Sequence, residues 1–131
     1  MIVVDSSVWV DYFNQRETEE VRLLRRLLPQ GIVAVGDIIL TEVLQGFRSP
    51  RSVKSADQLL SSLEVVGMLG AQRAKKSAEL YRSLRRRGIT IRSTPDVIIA
   101  SFCLTEGLAL LYADRDFDQI AEHAGLLSAA A

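Results

Sequence analysis

Short apolar runs that alternate with helical patterns constrain the fold of this chain most strongly. The runs read IVVD, IVAVG, EVVGM and LALLYAD, and they are typical of buried strands. Between them, apolar residues recur at the spacing of one helix face. Strands that are apolar on both faces and alternate with helices predict a parallel sheet covered on both sides. We therefore expect an α/β fold, a three-layer α/β/α domain whose central parallel sheet has about four to five strands.

Capping residues mark the starts of several predicted helices. Thr18 precedes EEVRLLRRLL, and Ser49 precedes a proline that suits the first turn of a helix. Thr94 is the predicted cap of TPDVIIASFCLTEG, and Gly107 is its predicted terminator. These signals place helices between the predicted strands.

Length and composition favour one globular domain. The chain has 131 residues, of which 48% are hydrophobic and 24% charged, so we expect a single domain over residues 1–131.

Cys103 is the only cysteine and lies in an apolar stretch, which excludes an internal disulfide and favours a reducing cytoplasm. No basic leader precedes Asp5, and no apolar run has the length of a membrane span. We expect a soluble cytoplasmic protein with no membrane association.

Charge distribution is more informative than net charge. Sixteen basic and sixteen acidic residues cancel, so the overall charge does not indicate a nucleic-acid or membrane partner. Basic residues gather in four segments, whereas ADRDFD is rich in acids: the basic segments are 22–26, 48–54, 73–76 and 82–92. This pattern is typical both of a basic surface around an acidic centre and of solvated helix faces.

Four acidic residues stand out because their neighbours are mostly apolar. Asp5 and Asp114 follow the first and last predicted strands, and Asp96 lies in the first turn of an apolar helix. Glu42 lies on another mostly apolar helix. In open α/β sheets, sites form beyond the carboxyl ends of the strands. Carboxylates gathered in apolar surroundings are costly unless a cation joins them, so we expect a hard divalent cation among these acids.

Magnesium is the ion that best suits such a set of ligands. It prefers oxygen ligands in octahedral geometry, and manganese is an acceptable substitute. An ion of this kind lowers the pKa of a bound water and neutralises charge that develops on a phosphodiester. The single histidine, His123, lies in a predicted C-terminal helix and does not indicate a zinc site.

Each acid also has a purely structural interpretation. Asp5 can be a turn residue or a helix cap, and Asp96 can complement the positive end of its helix. Glu42 can be a partly exposed helix residue, and Asp114 can be a loop acid. Asp116, with the glutamine three positions further on, resembles a capping box.

Three segments, taken in order, carry a family resemblance. They are IVVDSSVWVDYF, LTEVLQGF and TPDVIIASFCLTEGLALLYADRDFDQIAE. No single segment is specific, but their order and spacing resemble the PIN-domain ribonucleases, and in particular the VapC-type toxins of type II toxin–antitoxin pairs. The resemblance spans about residues 1–127 and implies a magnesium-dependent endoribonuclease with an acidic pocket at the carboxyl ends of a parallel sheet.

By position, the resemblance implies four catalytic acids: Asp5, Glu42, Asp96 and Asp114. The implied metal ligands overlap with them and include one further acid: Asp5, Asp96, Asp114 and Asp116. A hydroxyl of Ser6 or Ser7, with Ser7 preferred, is implied to hydrogen-bond the first aspartate. One departure is Tyr112-Ala113 before the last catalytic acid, where many members carry threonine or asparagine.

The resemblance also implies partners. Structured RNA such as transfer or ribosomal RNA is the implied substrate, and the candidates for phosphate contacts are Arg85, Arg86, Arg87 and Arg92, because guanidinium pairs well with phosphate. For each of these arginines a solvated role fits equally well. A cognate antitoxin is implied to cover the pocket with its C-terminal segment, and a homodimer is expected. The helices VRLLRRLL and LTEVLQGF offer a groove for a partner helix, although packing into the chain's own core explains them better.

Two non-nuclease interpretations share parts of the pattern. A metal-dependent ligand-binding module uses D-x-S-x-S after its first strand, but Trp9 occupies the position of the second serine. A receiver-like signalling domain has this size and architecture. It needs an acidic pair before the first-strand exit and a lysine after a late strand, and IVVD and YADRD supply neither.

Overall fold

The computed structural model describes residues 1–130 and contains a four-stranded parallel sheet flanked by helices. The strands are β1 (Ile2–Val4), β2 (Val33–Gly36), β3 (Glu64–Val66) and β4 (Ala109–Leu111). Their order across the sheet is β3-β2-β1-β4, and every pairing is parallel. The expected α/β class with a central parallel sheet is therefore confirmed.

Seven α-helices connect and flank these strands in the described part of the chain. They are α1 (Ser6–Phe13), α2 (Glu19–Leu27), α3 (Asp37–Gln45), α4 (Pro50–Ser61), α5 (Ala71–Arg86), α6 (Thr94–Glu106) and α7 (Asp116–Ala124). Among these 130 residues, no helix is both long enough and apolar enough to cross a membrane.

The helix starts follow local capping chemistry. The Thr18 side chain accepts a hydrogen bond from the Val21 amide at 3.0 Å, as the sequence predicts. The predicted cap of α6 is wrong by one residue, because Ser93 and not Thr94 occupies the cap position and accepts from the Asp96 amide at 3.4 Å. This shift matters, because it puts the serine beside the acid that the helix carries. Gly107 ends α6 with a φ of 67°, which lets the chain turn into β4.

The core explains why β1, β2 and β4 are apolar on both faces. The edge strand β3 is largely exposed, with Val65 46% exposed, so the prediction of EVVGM as a buried strand is wrong. Val3, Val4 and Val35 are completely buried, and so are Trp9 on α1 and Phe117 on α7. Burial of each such side chain contributes roughly 1.5–3 kcal/mol. The sheet is thereby fixed between helices, and the ends of β1 and β4 become rigid supports for whatever follows them.

The segment after α7 returns to the sheet beside β4. The Leu110 amide donates to the Leu127 carbonyl at 2.9 Å, and the Ala129 amide donates to the Leu110 carbonyl at 3.0 Å. A single parallel bridge joins Leu110 and Ser128. The sheet has four strands, which lies within the expected four to five, and this isolated bridge does not add a fifth.

Candidate active site

The five acids singled out from the sequence line one pocket of about 440 Å³ at the carboxyl edge of the sheet. Asp5 follows β1, Asp114 and Asp116 follow β4, Glu42 lies on α3 and Asp96 lies at the start of α6. The remaining lining residues are Ser6, Ser7, Val10, Gln45 and Ser93. Residues far apart in sequence converge here because parallel strands deliver their carboxyl ends to the same edge.

Asp5 is at once a helix cap and the most deeply buried acid of the pocket. Its side chain is 2% exposed, and its Oδ2 accepts hydrogen bonds from the Ser7 amide at 3.1 Å and from Ser7 Oγ at 2.6 Å. Its Oδ1 is buried and has no partner among the described residues. The structural interpretation therefore holds for Oδ2, whereas Oδ1 is a buried acceptor that no described donor satisfies.

Ser7 connects the ends of two strands. Its Oγ donates to Asp5 and accepts a hydrogen bond from the Ala113 amide at 3.1 Å. The chain after β4 is thus tied to the chain after β1. The backbone of Ala113 makes this contact, so the contact does not depend on which side chain this position carries.

Ser6 serves a different acid from Ser7. Its Oγ donates to Glu42 Oε1 at 3.1 Å, which links the start of α1 to α3. The sequence suggested that one of the two serines would hold the first aspartate, and both serines in fact hold carboxylates of the pocket.

Burial and mutual repulsion raise the pKa of three acids in the pocket. Burial, followed by the charges of the neighbouring carboxylates, raises the pKa of Asp96 from 3.8 to about 7. Burial also raises the pKa of Asp5 and of Glu42, although hydrogen bonds from Ser7 and Ser6 oppose the effect. Each shift has the same physical meaning: negative charge in this pocket is undercompensated.

The exposed side of the pocket is formed by Asp114 and Asp116. Asp114 Oδ1 accepts a hydrogen bond from the Asp116 amide at 2.9 Å. One oxygen from each of these two acids and one from Asp96 lie within 4.8 Å of one another. The capping-box interpretation of Asp116 is wrong, because Arg115 occupies the cap position of α7 and its side chain accepts no capping hydrogen bond.

The donor set fits a hard divalent cation. Among residues 1–130, no lysine or arginine lines the pocket, and the ion pairs of the structure lie elsewhere. The side chains offer carboxylate and hydroxyl oxygens, and Asp5 Oδ1 is a buried acceptor without a donor. Oxygen ligands of this kind suit magnesium or manganese, and no sulfur or imidazole ligand is present to favour zinc.

Comparison with known proteins agrees with this geometry. The family model described as the PIN domain matches residues 2–123. The chain belongs to the PIN-domain family. It is 31% identical over 131 residues to VapC ribonuclease Mb1587 of Mycobacterium bovis and to ribonuclease VapC11 of Mycobacterium tuberculosis, with 98% of each chain covered. The resemblance read from the ordered segments is therefore confirmed.

Solved structures share the same PIN-domain fold. VapBC2 of Rickettsia felis, bound to a DNA fragment from its promoter, has a TM-score of 0.77 at 22% identity, with 98% of this chain and 97% of that chain covered. DNA-bound VapBC of Salmonella typhimurium has a TM-score of 0.75 at 21% identity, with 97% and 95% covered. Mycobacterium tuberculosis VapC20, a sarcin-ricin loop cleaving toxin, has a TM-score of 0.68 at 18% identity, with 97% of both chains covered.

The predicted RNA-contacting arginines of this PIN domain lie outside the acidic pocket. Arg85 lies over the Tyr81 ring, 5.4 Å from its centroid, and Arg87 donates to the backbone carbonyl of His123. Arg86 and Arg92 are exposed. Two of the four guanidinium groups thus already have intramolecular contacts.

Three lining residues of the pocket were missed from the sequence: Val10, Gln45 and Ser93. Gln45 follows Glu42 by three positions, so helical spacing alone places both on one face of α3. Ser93 precedes Asp96 by three positions, the spacing of an N-cap, and this signal was assigned to the adjacent threonine instead.

Proposed function

We propose that this PIN domain, over residues 1–131, is the endoribonuclease toxin of a VapBC-type toxin–antitoxin pair and cleaves RNA with magnesium held by its acidic pocket. Its curated relatives are named ribonucleases and match the whole chain at 31% identity. The single observation that carries the proposal is that five acids converge at the carboxyl edge of the sheet, in a pocket whose described lining contains no lysine or arginine.

The pocket acids divide into ligands and a proton acceptor. Asp5, Asp96 and Asp114, with Asp116 at the exposed side, would hold magnesium, and manganese would substitute for it. When bound, such an ion lowers the pKa of water and neutralises charge that develops on the phosphodiester. Glu42 is held through Oε1 by Ser6, which leaves Oε2 to orient a water and to take the proton that it gives up.

The serines and the strand ends preorganise this arrangement. Ser7 fixes Asp5 by two hydrogen bonds and fixes the backbone after β4 by a third. A carboxylate that is held in one rotamer before the reaction needs no reordering when a ligand binds. The fold thereby supplies rigid positions for the groups that do the chemistry.

Structured RNA, either transfer or ribosomal, is the proposed substrate. Arg86 and Arg92 are the stronger candidates for phosphate contacts, because both are exposed and neither forms an ion pair with a described residue. Arg85 and Arg87 would have to exchange their contacts with Tyr81 and His123. The acidic pocket would then receive the scissile phosphodiester through the metal, while surface guanidinium groups hold the flanking backbone.

A cognate antitoxin is the proposed protein partner. Solved neighbours of the same fold are VapBC assemblies. An apolar cleft between α1 and α3, lined in part by Val10, Phe13 and Phe47, adjoins the acidic pocket through Val10. An apolar residue of the antitoxin would fill this cleft while an arginine of the same segment pairs with the acids.

Helix α2 packs into the chain's own core, the interpretation that the sequence favours over a partner groove. Val21, Leu24 and Leu27 are buried in the chain's own core, so VRLLRRLL offers these side chains no partner surface. The α3 segment is still proposed to contact the antitoxin, because it borders the apolar cleft.

Homodimerisation and a cytoplasmic location are also part of the proposal. Sedimentation of the purified protein tests whether it forms a dimer.

RNA cleavage tests the proposal directly. Purified protein is incubated with transfer and ribosomal RNA in magnesium and in a chelator, and the fragments are resolved by electrophoresis. We expect the protein to cleave RNA in magnesium, to stop in the chelator and to cleave again when magnesium is added back. Cleavage that continues unchanged in the chelator would exclude the metal-dependent mechanism.

A further inference from the structure

The pocket is larger than its metal site requires. The carboxylates are the walls of the pocket, so a bound ion would add only itself and about two to four waters, roughly 60–120 Å³ at about 30 Å³ for each water. The pocket measures about 440 Å³, so more than half of it is left for something else. A phosphodiester brings a nucleoside with it, and the remaining volume is large enough for part of that nucleoside.

The lining of the pocket is divided by charge. Asp5, Asp96, Asp114 and Asp116 come from the strand ends and from the starts of α6 and α7. The α1 and α3 side contributes Val10 and Gln45, which carry no charge, besides the Ser6–Glu42 pair. Val10 is 44% exposed although it is apolar, and Gln45 is exposed with no hydrogen bond from a described residue. We call Val10 and Gln45 the neutral ledge.

We propose that the neutral ledge binds the nucleobase next to the scissile phosphate, with Gln45 as the residue that reads its hydrogen-bonding edge. This inference rests on the proposed ribonuclease function and names how that site selects its substrate. A side-chain amide offers an NH2 donor group and a carbonyl acceptor in one plane, which matches the edge of an unpaired base. Val10 supplies the apolar surface against which the base lies, and the neutral charge of the ledge lets a base approach an otherwise acidic pocket.

Mapping of cleavage sites tests the assignment. Wild-type protein and Gln45→Met, which keeps the side-chain length without the amide, are incubated in magnesium with transfer and ribosomal RNA, and the cut ends are sequenced. In the wild type, one base is enriched beside the cut. In Gln45→Met, this enrichment falls by about tenfold, the discrimination expected of one two-bond contact between an amide and a base edge.

Two further variants make the test specific. Gln72→Met changes an exposed glutamine on α5 outside the pocket and retains the wild-type enrichment. Gln45→Glu keeps the shape but leaves only acceptors, and it shifts which base is enriched. This inference is overturned if both Gln45 variants cut RNA with the wild-type pattern, or if the wild type shows no base preference. Either result leaves the ribonuclease proposal standing. A wild type that cuts no RNA in magnesium would overturn the ribonuclease proposal and this inference with it.

Discussion

Two depressions of nearly equal size lie against helix α6, and they differ in the charge and polarity of their linings. The acidic pocket measures about 440 Å³, and a groove between α5 and α6 measures about 460 Å³. The groove carries no acid and is mostly apolar: its lining is Leu69, Ala74, Ser77, Ala78, Tyr81, Arg82, Thr94, Val97 and Ile98. Volume therefore does not distinguish the proposed active site from the groove, whereas the kind of side chain that lines each depression does.

Helix α6 separates the two depressions. It gives Asp96 to the acidic pocket, and it gives Thr94, Val97 and Ile98 to the groove. Its cap Ser93 lies on the pocket side and holds the backbone of Asp96. One helix start thus places a carboxylate where strand ends deliver others, while its other face makes an ordinary apolar surface.

Replacing Asp5, the most buried acid, should lower the rate of RNA cleavage more than any other change considered for the two depressions. Asp5→Asn should lower magnesium-dependent RNA cleavage by more than about a hundredfold, since it removes a charged ligand from a preorganised site. Cleavage rates with a fixed RNA measure this effect. Asp57→Asn, which changes an exposed acid on α4, is the matched control and should cleave at the wild-type rate.

The same variant distinguishes loss of function from loss of folding. Without metal, Asp5→Asn should melt at or above the wild-type temperature, because the negative charge that burial opposes is gone. If Asp5→Asn is inactive but also unfolded, the role of this carboxylate in cleavage is unsupported. If Asp5→Asn still cleaves RNA at the wild-type rate, that role is contradicted.

Much of this site could be predicted from the sequence because the acids are tied to element boundaries. Asp5 and Asp114 follow apolar strands, and parallel strands bring such residues to one edge whatever the helices between them do. Asp96 was found by its place in a first turn. The ordered segments then supplied the family.

Other features could not be predicted, because they depend on distances across the fold. The bond from Ser6 to Glu42 joins residues 36 positions apart, and the bond from the Ala113 amide to Ser7 joins residues 106 apart. The division of the two serines between two acids is set by how α1 packs on α3. The contacts of Arg85 and Arg87 likewise depend on how their helix is placed, which clustering of basic residues does not reveal.

Removing the hydroxyl that connects two strand ends should have the next largest effect. Ser7→Ala removes the hydrogen bond to Asp5 and leaves the Ala113 amide without its acceptor. We expect about a 10- to 100-fold loss in metal affinity, the usual cost of losing a residue that orients a ligand. Titration of activity with magnesium measures this loss. Ser7→Thr keeps the hydroxyl and should restore most of the affinity; equal affinity in Ser7→Ala would show that Asp5 needs no such support.

The pH dependence of stability should also differ with and without metal. The folded pKa of Asp96 is raised to about 7, so between about pH 4 and 7 the metal-free folded state binds a proton that the unfolded chain has released. Stability of the metal-free protein should therefore fall as the pH rises through this range and level off above it. Melting temperatures at pH 5 and pH 8 measure this trend.

Magnesium should reverse that trend, because it binds the deprotonated acids. The rise in melting temperature on adding magnesium should be larger at pH 8 than at pH 5. A metal-free protein that becomes more stable from pH 5 to pH 8 would contradict the raised pKa of the pocket acids.

A change in the apolar groove should have the smallest effect on cleavage. Leu69 is 45% exposed and lines the groove, not the acidic pocket. Leu69→Ser should leave the magnesium dependence of RNA cleavage unchanged and the rate within about twofold of wild type, as surface changes away from special features usually cost little. A loss comparable to that of Ser7→Ala would show that the two depressions act together.

Direct measurement of metal binding tests the central claim, which is that the acids of this pocket form one cation site. The signal of free manganese in electron paramagnetic resonance falls when the ion binds, and magnesium competes for the same site. Wild-type protein should lower the signal, added magnesium should restore it, and Asp96→Asn should bind manganese at least about tenfold more weakly. Manganese binding that is equally tight in Asp96→Asn, or that magnesium does not displace, would contradict the account.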